Sequence, residues 1–214
     1  MYSGKNRKYP CIKESRRIAS VLSAMLLFLV SAVASAQEYG RDSWQKPDEV
    51  VQSMDLKPGD VIADRGAGDG YFTRHFARAV HPGGKALGLE VVSRHVESMR
   101  RDAERLGLDT YQAVLVESDD PGFEPGSVDV VFLCNAYHHL SQRVDYFKKV
   151  SRGLKENGRV VIVDFYNRSM EVGPPPNHTL AKEVVLEEMK EAGYQLLRDK
   201  DFLEFQYYLE FGLN

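Results

Sequence analysis

The chain has 214 residues, with 28 Lys and Arg against 31 Asp and Glu. That is enough for one ordinary domain with a sizeable core. Six of the cations and one acid, Glu14, fall in the first 36 residues, which leaves 22 against 30 and a net charge of −8 for residues 37–214. An acidic remainder without a basic run argues against nucleic acid and anionic membrane surfaces as partners, and favours a small-molecule substrate.

The first 36 residues read as a secretory signal. Lys5, Arg7, Lys8, Lys13, Arg16 and Arg17 form a basic head, Ile18 to Val33 is apolar, and Ala34-Ser35-Ala36 offers a small-x-small cleavage site. The expectation is a signal peptide over 1–36 and a periplasmic or secreted domain over 37–214. The apolar stretch is shorter than the ~20 residues of a usual span. An uncleaved anchor is the alternative, and it too would deliver the domain outside. Once the signal is removed, no membrane association is expected. Cys11 lies in the signal, so the domain keeps only Cys134 and has no internal disulfide. At the end of an apolar run, Cys134 reads as a small buried hydrophobe.

From Trp44 onward strands and helices alternate. Pro47-Asp48-Glu49 opens a short helix to about Met54, because proline suits the first helical position and acids the first turn. Val61 to Asp64 is a short strand. Tyr71 to Val80 is a helix with Phe72, Phe76 and Ala79 on one face, ended by His81-Pro82-Gly83-Gly84. Lys85 to Glu90 is the second strand. Ser93 caps a helix to Leu106 whose inner stripe is Val96, Met99, Ala103 and Leu106.

Tyr111 to Val116 is the third strand. Val128 to Cys134, apolar on both faces, reads as a central parallel strand. Gln142 to Leu154 is a helix with Val144, Phe147, Val150 and Leu154 facing inward. Asn157-Gly158 turns into a strand from Arg159 to Asp164. The Pro-rich loop Gly173-Pro174-Pro175-Pro176 follows, then a helix from Thr179 to Ala192 stopped by Gly193. Tyr194 to Arg198 and Phe205 to Phe211 close the chain as two strands without a helix between them. Phe205, Tyr207, Leu209 and Phe211 alternate and should face one side as core, with Tyr208 on the other. The pattern predicts an α/β fold, a doubly wound Rossmann-like seven-stranded sheet, mostly parallel with an antiparallel last strand.

The segment Asp64-Arg65-Gly66-Ala67-Gly68-Asp69-Gly70-Tyr71 joins a strand to a helix through a glycine turn. Ligands of such folds sit beyond the carboxyl ends of the strands, where glycine lets the backbone approach closely. The spacing is G-x-G-x-G, and Tyr71 stands where a dinucleotide fingerprint needs its third glycine, which disfavours an NAD-dependent oxidoreductase. Asp64 and Asp69 disfavour a phosphate and favour a cationic ligand.

This segment resembles motif I of class I S-adenosylmethionine-dependent methyltransferases, usually written D-x-G-x-G-x-G. The resemblance implies S-adenosylmethionine as cofactor, its methionine end held by Asp64 and the backbone of Gly66, Ala67, Gly68, Asp69 and Gly70. It also implies that Glu90, ending the second strand, takes the ribose hydroxyls. Asp119 or Asp120 would meet the adenine amine, and Asn135 would line the pocket. Arg65 stands at a position commonly apolar in the family, so its guanidinium is expected to snorkel out or to find a carboxylate. Asn135-Ala136-Tyr137-His138-His139-Leu140, Trp44-Gln45-Lys46-Pro47 and the segment Phe202 to Tyr208 resemble a bacterial group of exported or uncharacterised type-11-like members.

His138 and His139 follow the fourth strand at the mouth of the cleft. Either could take a proton from an oxygen or nitrogen nucleophile, His138 being preferred. Alternatively both simply cap the next helix and pack on Tyr137. Tyr39, Arg41 and Trp44 are candidates for a lid, and Tyr166, Asn167 and His178 for a substrate loop. The histidines lack a metal-ligand spacing, so no metal is expected. The leading reading is methyl transfer to a small-molecule acceptor. The second is a non-catalytic exported binding protein that retains the fold.

Overall fold

The computed structural model describes residues 40–214. The chain divides after Ser43 into two units. Of the first unit, residues 40–43 are described; they are helical, and the Ser43 hydroxyl donates to the Gly40 carbonyl at 2.8 Å. The rest of this section concerns the second unit, Trp44–Asn214. The expected signal over 1–36 and Tyr39 lie outside the described residues.

Seven strands alternate with five helices longer than one turn. They are α1 (Pro47–Ser53), β1 (Val61–Arg65), α2 (Thr73–Ala79), β2 (Lys85–Glu90), α3 (Ser93–Leu106), β3 (Tyr111–Leu115), β4 (Val128–Cys134), α4 (Arg143–Gly153), β5 (Leu154–Phe165), α5 (Lys182–Glu191), β6 (Tyr194–Lys200) and β7 (Gln206–Leu213). Single 3-10 turns at Tyr137–His139 and Pro176–His178 complete the order. The strands form one sheet in the order β3-β2-β1-β4-β5-β7-β6. All pairs from β3 to β5 are parallel, and β7 runs antiparallel to both β5 and β6. The predicted α/β architecture with its antiparallel last strand is the one found.

The sheet is covered on both faces. On one face Phe147 and Val150 of α4 and Val185 and Met189 of α5 pack with Ile162, Leu209 and Phe211. On the other, Val50 of α1, Phe76 of α2 and Val96 and Met99 of α3 pack with Ile62, Phe132 and Val163. Tyr207 joins the first cluster and Tyr208 the second, as strict alternation along β7 requires. Each fully buried aromatic or aliphatic side chain contributes about 1.5–3 kcal/mol by leaving water.

Three local expectations are corrected. Ser93 is the first residue of α3 rather than its cap; Val92 is the cap residue and no side chain caps it. Asn157-Gly158 does not precede a separate strand. Val128 pairs with Leu154 and Val130 with Arg159, so the intervening residues bulge within one strand, with Asn157 at φ 64°. The helix predicted from Thr179 starts at Lys182 because a 3-10 turn follows the prolines.

Candidate active site

The strand order reverses between β1 and β4, and that is where a doubly wound sheet opens a cleft beyond its strand ends. A cavity of about 300 Å³ lies there, lined by Arg65, Gly66, Glu90, Ser118, Asn135 and His139, with Val91, Ala136 and Leu140 completing the wall.

The glycine turn closes this cavity from the β1 side. The Gly66 N–H donates to the Leu89 carbonyl at 2.9 Å, which pins the turn to β2. A Cβ at Gly66 would come within 2.7 Å of Ala136 Cβ, and its φ of +74° also favours glycine. Gly70, at φ +83°, has no room for a Cβ, which would run into Tyr111 Oη and Met99. Ala67 donates to the Leu89 carbonyl at 3.3 Å.

Glu90 ends β2 with 6% of its surface exposed. Its Oε2 accepts from the Gly68 N–H at 2.8 Å, and its Oε1 from the Val91 and Val92 N–H groups at 2.8 and 3.1 Å. The carboxylate thereby ties the glycine turn to the start of α3. Two oxygens with about four lone-pair sites retain capacity for a ligand hydroxyl.

Asp64 is 2% exposed and does not line the cavity; its Oδ2 accepts from Thr73 Oγ1 at 2.6 Å and so locks β1 to α2. Asp69 is exposed on the turn beside Arg74. Asp119 pairs with Lys149 at 3.3 Å on the surface, and Asp120 accepts from the Gly122 N–H at 2.9 Å. Neither lines the cavity, whereas their neighbour Ser118 does.

Arg65 corrects an expectation. It is 3% exposed, so it does not snorkel, and no carboxylate among the described residues pairs with it. Its Nε donates to Tyr146 Oη at 2.8 Å, and its Nη2 donates to the Glu117 and Ser118 carbonyls at 3.0 and 2.9 Å. The planar fork satisfies neutral acceptors on two elements at once.

The histidines part company. His138 Nδ1 lies 2.8 and 2.9 Å from the two carboxylate oxygens of Asp164, which is fully buried at the end of β5. That contact commits Nδ1 and leaves Nε2 with no partner among the described residues. His139 lines the cavity, and its ring centroid lies 4.1 Å from that of His138 with the two planes tilted by 45°. Loss of solvent on that side pushes its pKa below the usual imidazole range, the neighbouring His138 and His178 add to this, and Asp164 opposes it. The 3-10 turn carrying both rings is clamped to α5: Tyr137 Oη donates to Glu188 at 2.8 Å, and Arg143 holds both oxygens of the same carboxylate at 2.7 Å.

The other candidates do not line the cavity. Asn167 Nδ2 donates to the Pro176 carbonyl at 2.7 Å and to Thr179 Oγ1 at 3.0 Å, which ties down the Pro-rich loop. Trp44 packs 5.7 Å from Phe165 and 6.3 Å from Phe205. Arg41 belongs to the first unit. Among the described residues no group of three metal-ligating side chains occurs.

A methyltransferase domain family matches residues 56–201, which span β1 to β6 and every element that borders the cavity. The chain belongs to that methyltransferase domain family. Among curated relatives, nocamycin O-methyltransferase of Saccharothrix syringae is 35% identical over 111 residues, covering 52% of this chain and 40% of that one. Demethylmenaquinone methyltransferase of Bacillus cereus is 24% identical over 136 residues, covering 64% and 56%. The chain thus spans roughly half or less of the length of these relatives. Among solved structures, a SAM-dependent methyltransferase from Aquifex aeolicus matches with a TM-score of 0.78 and 21% identity, covering 81% of this chain and 93% of that one. That likeness shows the shared fold.

The residues present fit S-adenosylmethionine, the cofactor that the resemblance of the glycine turn implies. A buried carboxylate with spare lone pairs, Glu90, suits vicinal hydroxyls, and the turn at Gly66 leaves no side chain between backbone and cavity. Reading the sequence missed Asp164, Gln206 and Gln45. Asp164 carried one usable signal: an acid near the end of the apolar run Val160 to Phe165 sits at the same strand-end level as Glu90 and Asn135.

Proposed function

We propose that this domain transfers a methyl group from S-adenosylmethionine to a hydroxyl of a small organic acceptor, with His138 as the general base. The observation that carries this is the His138–Asp164 pair at 2.8 Å, formed by a carboxylate with no exposed surface. Asp164 accepts from the Nδ1–H, fixes the ring and its tautomer, and leaves the Nε2 lone pair as the proton acceptor. When bound, S-adenosylmethionine supplies an electrophilic methyl carbon, whose S–C bond breaks as the acceptor's O–C bond forms, the electron pair staying on sulfur. His138 Nε2 takes the hydroxyl proton, and Asp164 sits against the positive charge that the ring then carries. Positioning of the two reactants supplies much of the rest. Nocamycin O-methyltransferase, an oxygen methyltransferase by name, supports the choice of a hydroxyl.

The test uses the full chain, S-adenosylmethionine labelled in its methyl group, and a panel of small phenols and alcohols. Transfer to at least one hydroxyl is expected, with His138→Asn lowering kcat on the order of 10²-fold or more while cofactor affinity holds. Full turnover in that variant would remove the base assignment. Cofactor binding without transfer to any member would remove the acceptor class.

We also propose that the domain is exported. The three-part layout of residues 1–36 supports this. A fusion of residues 1–36 to a reporter active only outside the cytoplasm tests it.

A further inference from the structure

Three carboxamides run in a chain from outside the cavity to its wall. Gln45, just before α1, donates from Nε2 to Gln206 Oε1 at 3.0 Å. Gln206, the first residue of β7, donates from Nε2 to Asn135 Oδ1 at 2.7 Å. Asn135 follows β4 and lines the cavity beside Arg65 and Glu90. Both glutamines are fully buried, and a buried amide is costly to leave unbonded.

The far end of the chain is braced. Lys46 Nζ donates to the Phe202 carbonyl at 3.1 Å, and Trp44 rests on Phe165 and Phe205. At the near end Asn135 adopts φ +53°, a left-handed conformation that asparagine tolerates better than most residues, and its N–H is held by the Val163 carbonyl at 2.9 Å. Its backbone is therefore fixed from β5 and its side chain from β7.

An asparagine presents either two donors or an acceptor, depending on which way its carboxamide turns. Here Oδ1 is taken by Gln206, and Nδ2 has no partner among the described residues. We propose that Gln206 and Gln45 are positioning residues that set this direction, so that Asn135 offers its N–H2 group to an oxygen of the bound cofactor. The inference rests on the cofactor assignment and deepens it. It gives the segment Trp44-Gln45-Lys46-Pro47 a role in a site that it does not line. A carboxylate or hydroxyl oxygen fits such a donor, whereas an N–H group does not.

The test is a double-mutant cycle on the full chain, read as calorimetric affinity for S-adenosylhomocysteine, with the melting temperature of each unliganded variant recorded. In Gln206→Glu the new carboxylate only accepts, so it takes donors from both Gln45 and Asn135 and turns Asn135 Oδ1 toward the cavity. Affinity is expected to fall at least tenfold. In the Asn135→Ala background the same substitution should cost nothing further, because the group it redirects is gone. An equal loss in both backgrounds, or no loss in Gln206→Glu alone, would overturn the proposal. Gln206→Met serves in the same cycle where the glutamate variant does not fold; it should weaken binding less than tenfold and again only with Asn135 present. A wild-type chain that binds no S-adenosylhomocysteine would overturn the cofactor assignment and this inference with it.

Discussion

The Arg65 guanidinium donates to the phenolic oxygen of Tyr146 at 2.8 Å inside the protein, and no carboxylate among the described residues shares the contact. The same side chain reaches the Glu117 and Ser118 carbonyls, so one cation joins β1, α4 and the segment after β3. Two opposing terms govern Arg65→Leu. Removing a desolvated charge is favourable, and orphaning its acceptors costs about 1–3 kcal/mol for each one that water cannot reach. Both carbonyls belong to exposed residues, so water can replace the guanidinium there. The net change in stability should stay within about 1 kcal/mol. The cavity wall at Ser118 should loosen instead, with faster amide exchange over residues 117–122 and about tenfold weaker cofactor binding. Unchanged exchange there would show that the segment holds its shape unaided.

Asp164→Asn tests the histidine pair from its other side. The Asp164 carboxylate can only accept, and it fixes the proton on Nδ1. A carboxamide can donate to Nδ1 instead, which places the ring proton on Nε2 and blocks it as a base. Because Asp164 Oδ1 also accepts from the Phe165 N–H at 2.8 Å, the carboxamide oxygen can keep that bond and the strand end should survive. The expected outcome is a loss in kcat on the order of 10²–10⁴ with unchanged cofactor affinity, by analogy with other carboxylate–histidine pairs. Steady-state rates and calorimetry on the same preparation separate the two.

Much of this fold was legible because hydrophobic period and punctuation agree. β2, α3 and β4 have the bounds read from the sequence: α3 is a long amphipathic run ended by Gly, and the two strands are short apolar runs ended by an acid or a turn. The bulge in β5 was not legible, since Asn157-Gly158 looks the same in a turn and in a bulge, and only pairing with β4 distinguishes them. In the site, Gly66, Glu90 and Asn135 border the cavity because they stand at strand ends, and His139 because it sits on the turn that follows β4, which sequence order alone predicts. Asp164 and Gln206 act through partners 26 and 71 residues away, so no local pattern could pair them. The Arg65 ligands were hidden for another reason: backbone carbonyls carry no sequence signature.

Glu188 links stability to pH through the clamp on the 3-10 turn. The Arg143 guanidinium holds its carboxyl below the usual range, burial opposes this, and the Tyr137 hydroxyl adds to the lowering. A carboxylate with a depressed folded-state pKa contributes stability that is fully present above its unfolded value near 4.5. That contribution is lost as the pH falls through the lower, folded value. Glu188→Gln should therefore destabilise the domain by about 1–2 kcal/mol at pH 7, for loss of a two-point charged pair. The difference from wild type should shrink as the pH drops below about 4.5. Chemical denaturation at pH 7 and pH 3.5 reads it, and a pH-independent difference would mean that the clamp acts by packing alone.

His139 carries the opposite linkage. Its ring lies against His138, and its pKa is lowered from 6.5 chiefly by lost solvent and then by the His138 and His178 charges. A histidine with a lowered folded-state pKa binds fewer protons folded than unfolded in the window between the two values. Stability then rises with pH through that window and is fully recovered above about 6.5. Acidification should place a charge on the His139 ring and weaken its contact with His138. The direct measurement is an NMR titration of the imidazole Cε1–H resonances, in which His139 should show its midpoint below 6.5. His139→Gln should remove that titration and, with it, the part of the acid-side loss in melting temperature that the ring causes. A midpoint at or above 6.5 would mean that the Asp164 charge prevails over burial at this position.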